Sequence, residues 1–220
     1  MKKSIVAIVM LTCSLGAIAQ SEKFQKAMEQ NIVGFDTVRS NDGWKDLGNS
    51  FQRIADAEKT QWLPYYYAAL THVMIGYNIA GASGGMGGFA DKTDPEADLA
   101  EQLLNKAQEI GKENSEIYCV RKMIASLRLM ADPMNRYQTA LPAATEALEK
   151  AKSLNPENPR VYLLEAQDKF YTPEQYGGSK TEAKTLFETA MKKYDAFKPE
   201  STIHPQWGKS QAQYFLSQLK

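Results

Sequence analysis

Apolar residues recur at intervals of three and four along almost the whole chain, and no run of four or more alternates convincingly between apolar and polar. That spacing predicts nine helices, at about 22–38, 44–59, 62–80, 95–111, 115–131, 137–154, 160–171, 180–197 and 207–219. The first carries one stripe of Phe24, Ala27, Met28, Ile32 and Phe35, and the second a stripe of Leu47, Phe51, Ile54 and Ala55. The third is apolar around most of its circumference (Tyr65, Tyr66, Tyr67, Leu70, Val73, Ile75), which places it at the centre of whatever forms. Between the third and fourth, Gly81–Phe89 holds five glycines in nine residues and has no helix or strand propensity, so Pro95 is expected to restart the helical pattern.

Two segments share a more particular spacing. Ala144, Leu148, Ala151 and Pro156 repeat the pattern of Ala183, Phe187 and Ala190, with a helix at 160–171 between them. This is similar to the second half of a tetratricopeptide (TPR) repeat. Trp44, Leu47, Gly48 and Phe51 match the first helix of such a repeat, but the better-defined second half of the chain sets the opposite phase. In that phase 22–38 pairs with 44–59, 62–80 with 95–111, 115–131 with 137–154, and 160–171 with 180–197. Three inserts (Gly81–Asp94, Asp132–Asn135, Thr172–Ser179) then fall at turns within hairpins, on one edge of the array. The expected fold class is all-α, an α-α solenoid of about four irregular TPR-like hairpins plus a C-terminal capping helix. The turn at 172–183, with Pro173, Gly177-Gly178 and Ala183, also resembles that of the periplasmic T component of TRAP transporters. That resemblance implies a helical, TPR-like protein that binds a ligand or partner.

Composition changes the picture at the N-terminus. Lys2-Lys3, the apolar run Ile5–Leu11 and Ala17-Ile18-Ala19 fit a secretory signal peptide cleaved after Ala19, leaving 20–220 as one TPR-like domain, periplasmic or secreted. The run is too short for a membrane span, so no stable membrane insertion is expected after cleavage. A lipidated Cys13 is the alternative, with Thr12 a poor residue before it. The mature 201 residues carry 24 Lys and Arg against 26 Asp and Glu, a formal charge of −2, which argues against nucleic acid as a partner. Cys119 is then the lone cysteine, in the apolar context of a small buried side chain, and no internal disulfide can form.

Candidate chemistry is sparse. His72 and His204 have no metal-ligand spacing, no nucleophile motif is present, and the glycine loop lacks the lysine and hydroxyl of a phosphate cradle. No catalytic residue, metal or cofactor is expected, and the chain reads as a non-enzyme. Tyrosines on the first helices of the hairpins are candidates for a concave groove, with core packing as the competing role. The candidate partner-binding residues are Tyr66, Tyr67, Met86, Phe89, Tyr118, Arg121 and Tyr162, Met86 and Phe89 being the large side chains of an adaptable loop. The leading expectation is an exported scaffold that binds an extended peptide or protein. The alternative is a small-molecule binding component of an envelope transport system.

Overall fold

The computed structural model describes residues 22–84 and 87–219. The expected signal segment 1–19 and Met86 lie outside them. Helix α1 runs through 22–32, followed by α2 (Gly34–Thr37), α3 (Asn41–Ala57), α4 (Trp62–Ala82), α5 (Ala90–Gly111) and α6 (Ser115–Ala131). Then come α7 (Pro133–Leu154), α8 (Pro159–Tyr171), a short 3-10 turn (Glu174–Tyr176), α9 (Lys180–Ala196) and α10 (Lys209–Gln218). There is no strand among the described residues. The all-α expectation holds, and so do the expected pairings of α4 with α5, α6 with α7 and α8 with α9, with α10 packed on α9.

Side-chain caps set where α3, α6, α7, α8 and α9 begin. Ser40 accepts from the amide of Gly43, Asn114 from Ile117, Asp132 from Asn135, Asn158 from Arg160 and Ser179 from Glu182. Each satisfies an amide that has no partner inside its own helix. The Asp132 cap corrects one boundary. With Asp132 capping and Pro133 at the first helical position, α7 starts at Pro133, so the expected insert Asp132–Asn135 is mostly helix. A second correction concerns α5, which begins at Ala90 rather than Pro95. Its first turn closes by amides of Lys92 and Thr93 donating to the Phe89 carbonyl, and Pro95 sits one turn further in.

Helix α4 is central, as its all-round apolarity required: it packs against α3, α5 and α6. Two glycines permit the close approach. A β-carbon at Gly48 would stand 2.5 Å from Thr71 Oγ1, and one at Gly76 would stand 2.2 Å from a methyl of Leu127. The interruption of the helix at Val33 sets Phe35 against Trp44, Phe51 and Tyr67 at centroid distances of 5.3, 6.0 and 5.4 Å. Two hydrophobic clusters result. The larger spans α1 to α8 around Phe51, Leu70, Leu104 and Leu127; the smaller lies between α8, α9 and α10 around Leu163, Phe187 and Phe215.

Candidate functional site

Of the seven expected contact residues, the six that the structure describes fall in different places, and Met86 lies outside the described residues. Tyr66 and Tyr67 are buried. The Tyr66 hydroxyl accepts from Trp207 Nε1 at 2.8 Å and donates to Glu116 at 3.4 Å, while Tyr67 donates to the Ile203 carbonyl at 3.1 Å and stacks on Phe51. Burial pushes both phenols up. Neither side chain reaches a surface, because a helix apolar on every side directs its tyrosines inward. Phe89 is also corrected, from loop contact to core: it is 1% exposed, and the adjoining Gly87 amide donates to the Met130 carbonyl at 2.8 Å. That end of the glycine loop is therefore pinned to the end of α6. Tyr162 lies apart, between Lys152 and Lys193, with its hydroxyl on the Pro156 carbonyl.

Tyr118 and Arg121 are brought together. Both line a broad groove of about 1560 Å³ formed by α5, α6 and α7. Its floor is made of small side chains, Ala125, Ala140 and Ala147, with Ile124 beside them. Its cations are paired. Arg121 donates to Asn105 and Gln108, Arg128 to Asp98 and Glu101, and Arg136 clasps Asp94 with two bonds of 2.7 and 2.6 Å. Tyr118 donates to Glu113 at 2.7 Å, which raises the phenol and lowers the carboxyl, and Lys150 meets the same carboxylate at 3.1 Å. This is a wide surface of satisfied charges.

A second concavity has different chemistry. A cleft of about 360 Å³ opens between α6 (Ser126, Leu129), α7 (Leu141, Ala144), the end of α8 (Asp168, Lys169) and the turn that follows (Thr172, Tyr176). The turn is braced. Gly177 has φ +91°, the Gly178 amide donates to the Pro173 carbonyl, and Ser179 donates to Lys169. Lys169 Nζ donates to the Gly177 carbonyl at 3.3 Å and pairs with Glu182 at 2.6 Å. Asp168 is held by Lys122 of α6 at 2.5 Å.

Exposed apolar side chains extend this cleft. Leu141 on its wall is 39% exposed, and Tyr137 and Met134, four and seven residues earlier on the same helical face, are 61% and 90% exposed. Tyr176 stands at the opposite lip, 75% exposed. The Met134–Leu141 stripe spans about 10 Å at the helical rise of ~1.5 Å per residue. Large apolar side chains exposed on one helical face are the kind of feature found where proteins bind apolar ligands or partners. None of these residues figured among the expected contacts. The spacing of 134, 137 and 141 carries the signal, but the sequence pattern puts the first of these in an expected insert.

The histidines border neither concavity. His72 Nδ1 meets Glu96 at 2.7 Å, and His204 meets Ser201 and Glu200. Among the described residues no group of three or more His, Cys, Asp or Glu is placed to hold a metal ion, and no helix is long and apolar enough to cross a membrane. Cys119 is buried, which pushes its thiol up, in line with a packing role.

Among solved structures the chain is similar to the HusA haemophore from Porphyromonas gingivalis, at 32% identity and a TM-score of 0.76, over 90% of this chain and 92% of that one. No protein-family model matches the chain, and no curated protein does.

Proposed function

The chain belongs to the family of the HusA haemophore, and we propose that it is itself a non-enzymatic carrier of a haem-class ligand, a flat apolar ring system with acidic substituents. One observation carries this reading: the cleft at the α8–α9 turn is lined by Leu141 and Tyr176, and Tyr137 and Met134 continue the Leu141 face of α7 beyond it, all four being large apolar side chains left in solvent. The cleft takes one edge of the ring, and the α7 stripe covers part of one face. Burying such side chains against a ligand is worth about 25 cal/mol per Å² of apolar surface, before the cost of association. The hairpin stack is read as TPR-like, with its insert-bearing turns on one edge. Residues 1–19 are read as a cleaved signal, so the carrier works in the periplasm or outside the cell.

The test is an absorbance titration of residues 20–220 with haemin. Tyr176→Ala and Leu141→Gln are each expected to weaken binding about tenfold, which is ~1.4 kcal/mol. Tyr118→Ala and Arg121→Ala should stay within about twofold. The reverse order moves the ligand to the broad groove, and absence of haemin binding by the native chain removes the reading altogether.

A second reading is favoured by Tyr118 and Arg121 sharing the broad α5–α7 groove, whose length and alternating charges suit an extended peptide. The check is a peptide pool made from the envelope fraction. Peptides retained by the native chain and lost by a Tyr118→Ala, Arg121→Ala double variant with unchanged haemin titration would support it. Equal retention by both proteins would end it.

A further inference from the structure

We propose that the cleft selects ligands that carry a free carboxylate, which Lys169 receives as Glu182 gives way. This rests on the reading that the cleft holds the ligand. Among the residues lining the cleft Lys169 is the one cation and Asp168 the one anion. They sit side by side at the end of α8, but they are not each other's partners. Asp168 is taken by Lys122, whose side chain is 4% exposed and so fixed in place behind the wall. With that acid neutralised from within, Lys169 contributes the cleft's accessible positive charge.

The bonds Lys169 makes are of a kind that yields. An ammonium has three N–H donors. One goes to the Gly177 carbonyl, and a second to Glu182 on the first turn of α9. The Glu182 side chain is 58% exposed, and an exposed pair of this sort contributes little net stability. A ligand carboxylate arriving at the mouth replaces one carboxylate by another on the same ammonium. The exchange brings an attraction that a neutral ligand of the same shape lacks. Glu182 therefore acts as an internal stand-in that keeps Lys169 aimed at the mouth while the site is empty of ligand.

The experiment compares protoporphyrin IX with its dimethyl ester, by fluorescence titration of residues 20–220. The free acid is expected to bind about tenfold tighter than the ester, with the difference shrinking as salt is raised. Lys169→Gln should bring the ratio near one and Lys169→Arg should keep it. Glu182→Gln should tighten the acid severalfold and leave the ester unchanged. Gln still serves the capping position at the start of α9, so the helix is not the variable. Equal affinities for acid and ester in the native chain overturn the proposal, as does a ratio that survives Lys169→Gln. If both ligands weaken in Tyr176→Ala while their ratio is one, the cleft reading stands and the carboxylate preference falls. If neither ligand responds to Tyr176→Ala, or neither binds, both fall.

Discussion

At the scale of single residues, a buried ion pair sits at the start of α8, the end of that helix away from the candidate cleft. Arg160 is buried, and its guanidinium donates to both oxygens of Glu116, at 2.7 and 2.6 Å. Burial opposes the charge on Arg160, but the attraction of Glu116 and its hydrogen bonds outweigh that, and the guanidinium is held more firmly protonated than usual. Asn158 Nδ2 bonds the same carboxylate and Ser115 Oγ, and Ser115 donates to the Ala151 carbonyl. Removing one partner leaves a buried charge uncompensated. Arg160→Met or Glu116→Gln should each cost about 3–5 kcal/mol in denaturant unfolding, and the double variant clearly less than the sum. Additive losses would show that the two charges are not coupled. Tyr66→Phe, which leaves the Trp207 indole N–H without its acceptor, should cost about 1–3 kcal/mol.

At the scale of elements, turns and clasps decide more than the helices do. A β-carbon at Gly178 would stand 1.7 Å from the Thr172 carbonyl oxygen, a backbone atom that cannot swing away. Gly178→Ala should therefore displace the 172–179 turn, lower the melting temperature and weaken haemin binding together. Unchanged binding would detach the turn from the ligand site. The Asp94–Arg136 clasp joins α5 to α7 and gives a pH signature. Hydrogen bonding from Arg136 lowers the Asp94 carboxyl below its ordinary 3.8. A lowered carboxyl contributes stability that is complete above the unfolded value and lost as pH falls through the folded one. Asp94→Asn should be less stable at neutral pH, and its melting temperature should fall less than that of the native chain on acidification below about pH 4. Parallel curves for the two proteins would remove the clasp from the acid response.

The same elements show what was legible in the sequence. The period of three and four located the helices, because each amphipathic stripe must face a partner, and the junction spacing fixed the hairpin pairing. Faces are not legible on α4, where apolarity on every side gives no direction, so the sequence leaves Tyr66 and Tyr67 between groove and core, and the structure puts both in the core. Phe89 turns inward for a reason that the sequence does not carry. Glycine content marks a loop, but it does not say which flanking side chain the loop buries. The cleft depends on Leu141 of α7 and Tyr176 of the turn after α8 standing on facing walls, a placement that no local spacing encodes.

At the scale of the whole molecule, the two hydrophobic clusters meet on α8. Val161 and Leu164 face the larger one, Leu163 and Ala166 the smaller. The smaller cluster is closed by α10, where Phe215 stacks on Phe187 at 5.0 Å. In stacked hairpins stability is close to a sum over neighbours, so the end unit should open first. A chain ending at Gly208 uncovers Phe187 while keeping Trp207, whose carbonyl accepts from Arg160 and Tyr194 and whose indole donates to Tyr66. In hydrogen exchange this truncation should strip protection from α8 and α9 and leave α4 to α6 protected. The 172–179 turn belongs to that hairpin, so haemin binding should weaken although α10 does not line the cleft. Loss of protection in all helices at once would mean that the two clusters fold as one unit, and a truncated chain with full affinity would place the ligand away from the α8–α9 turn.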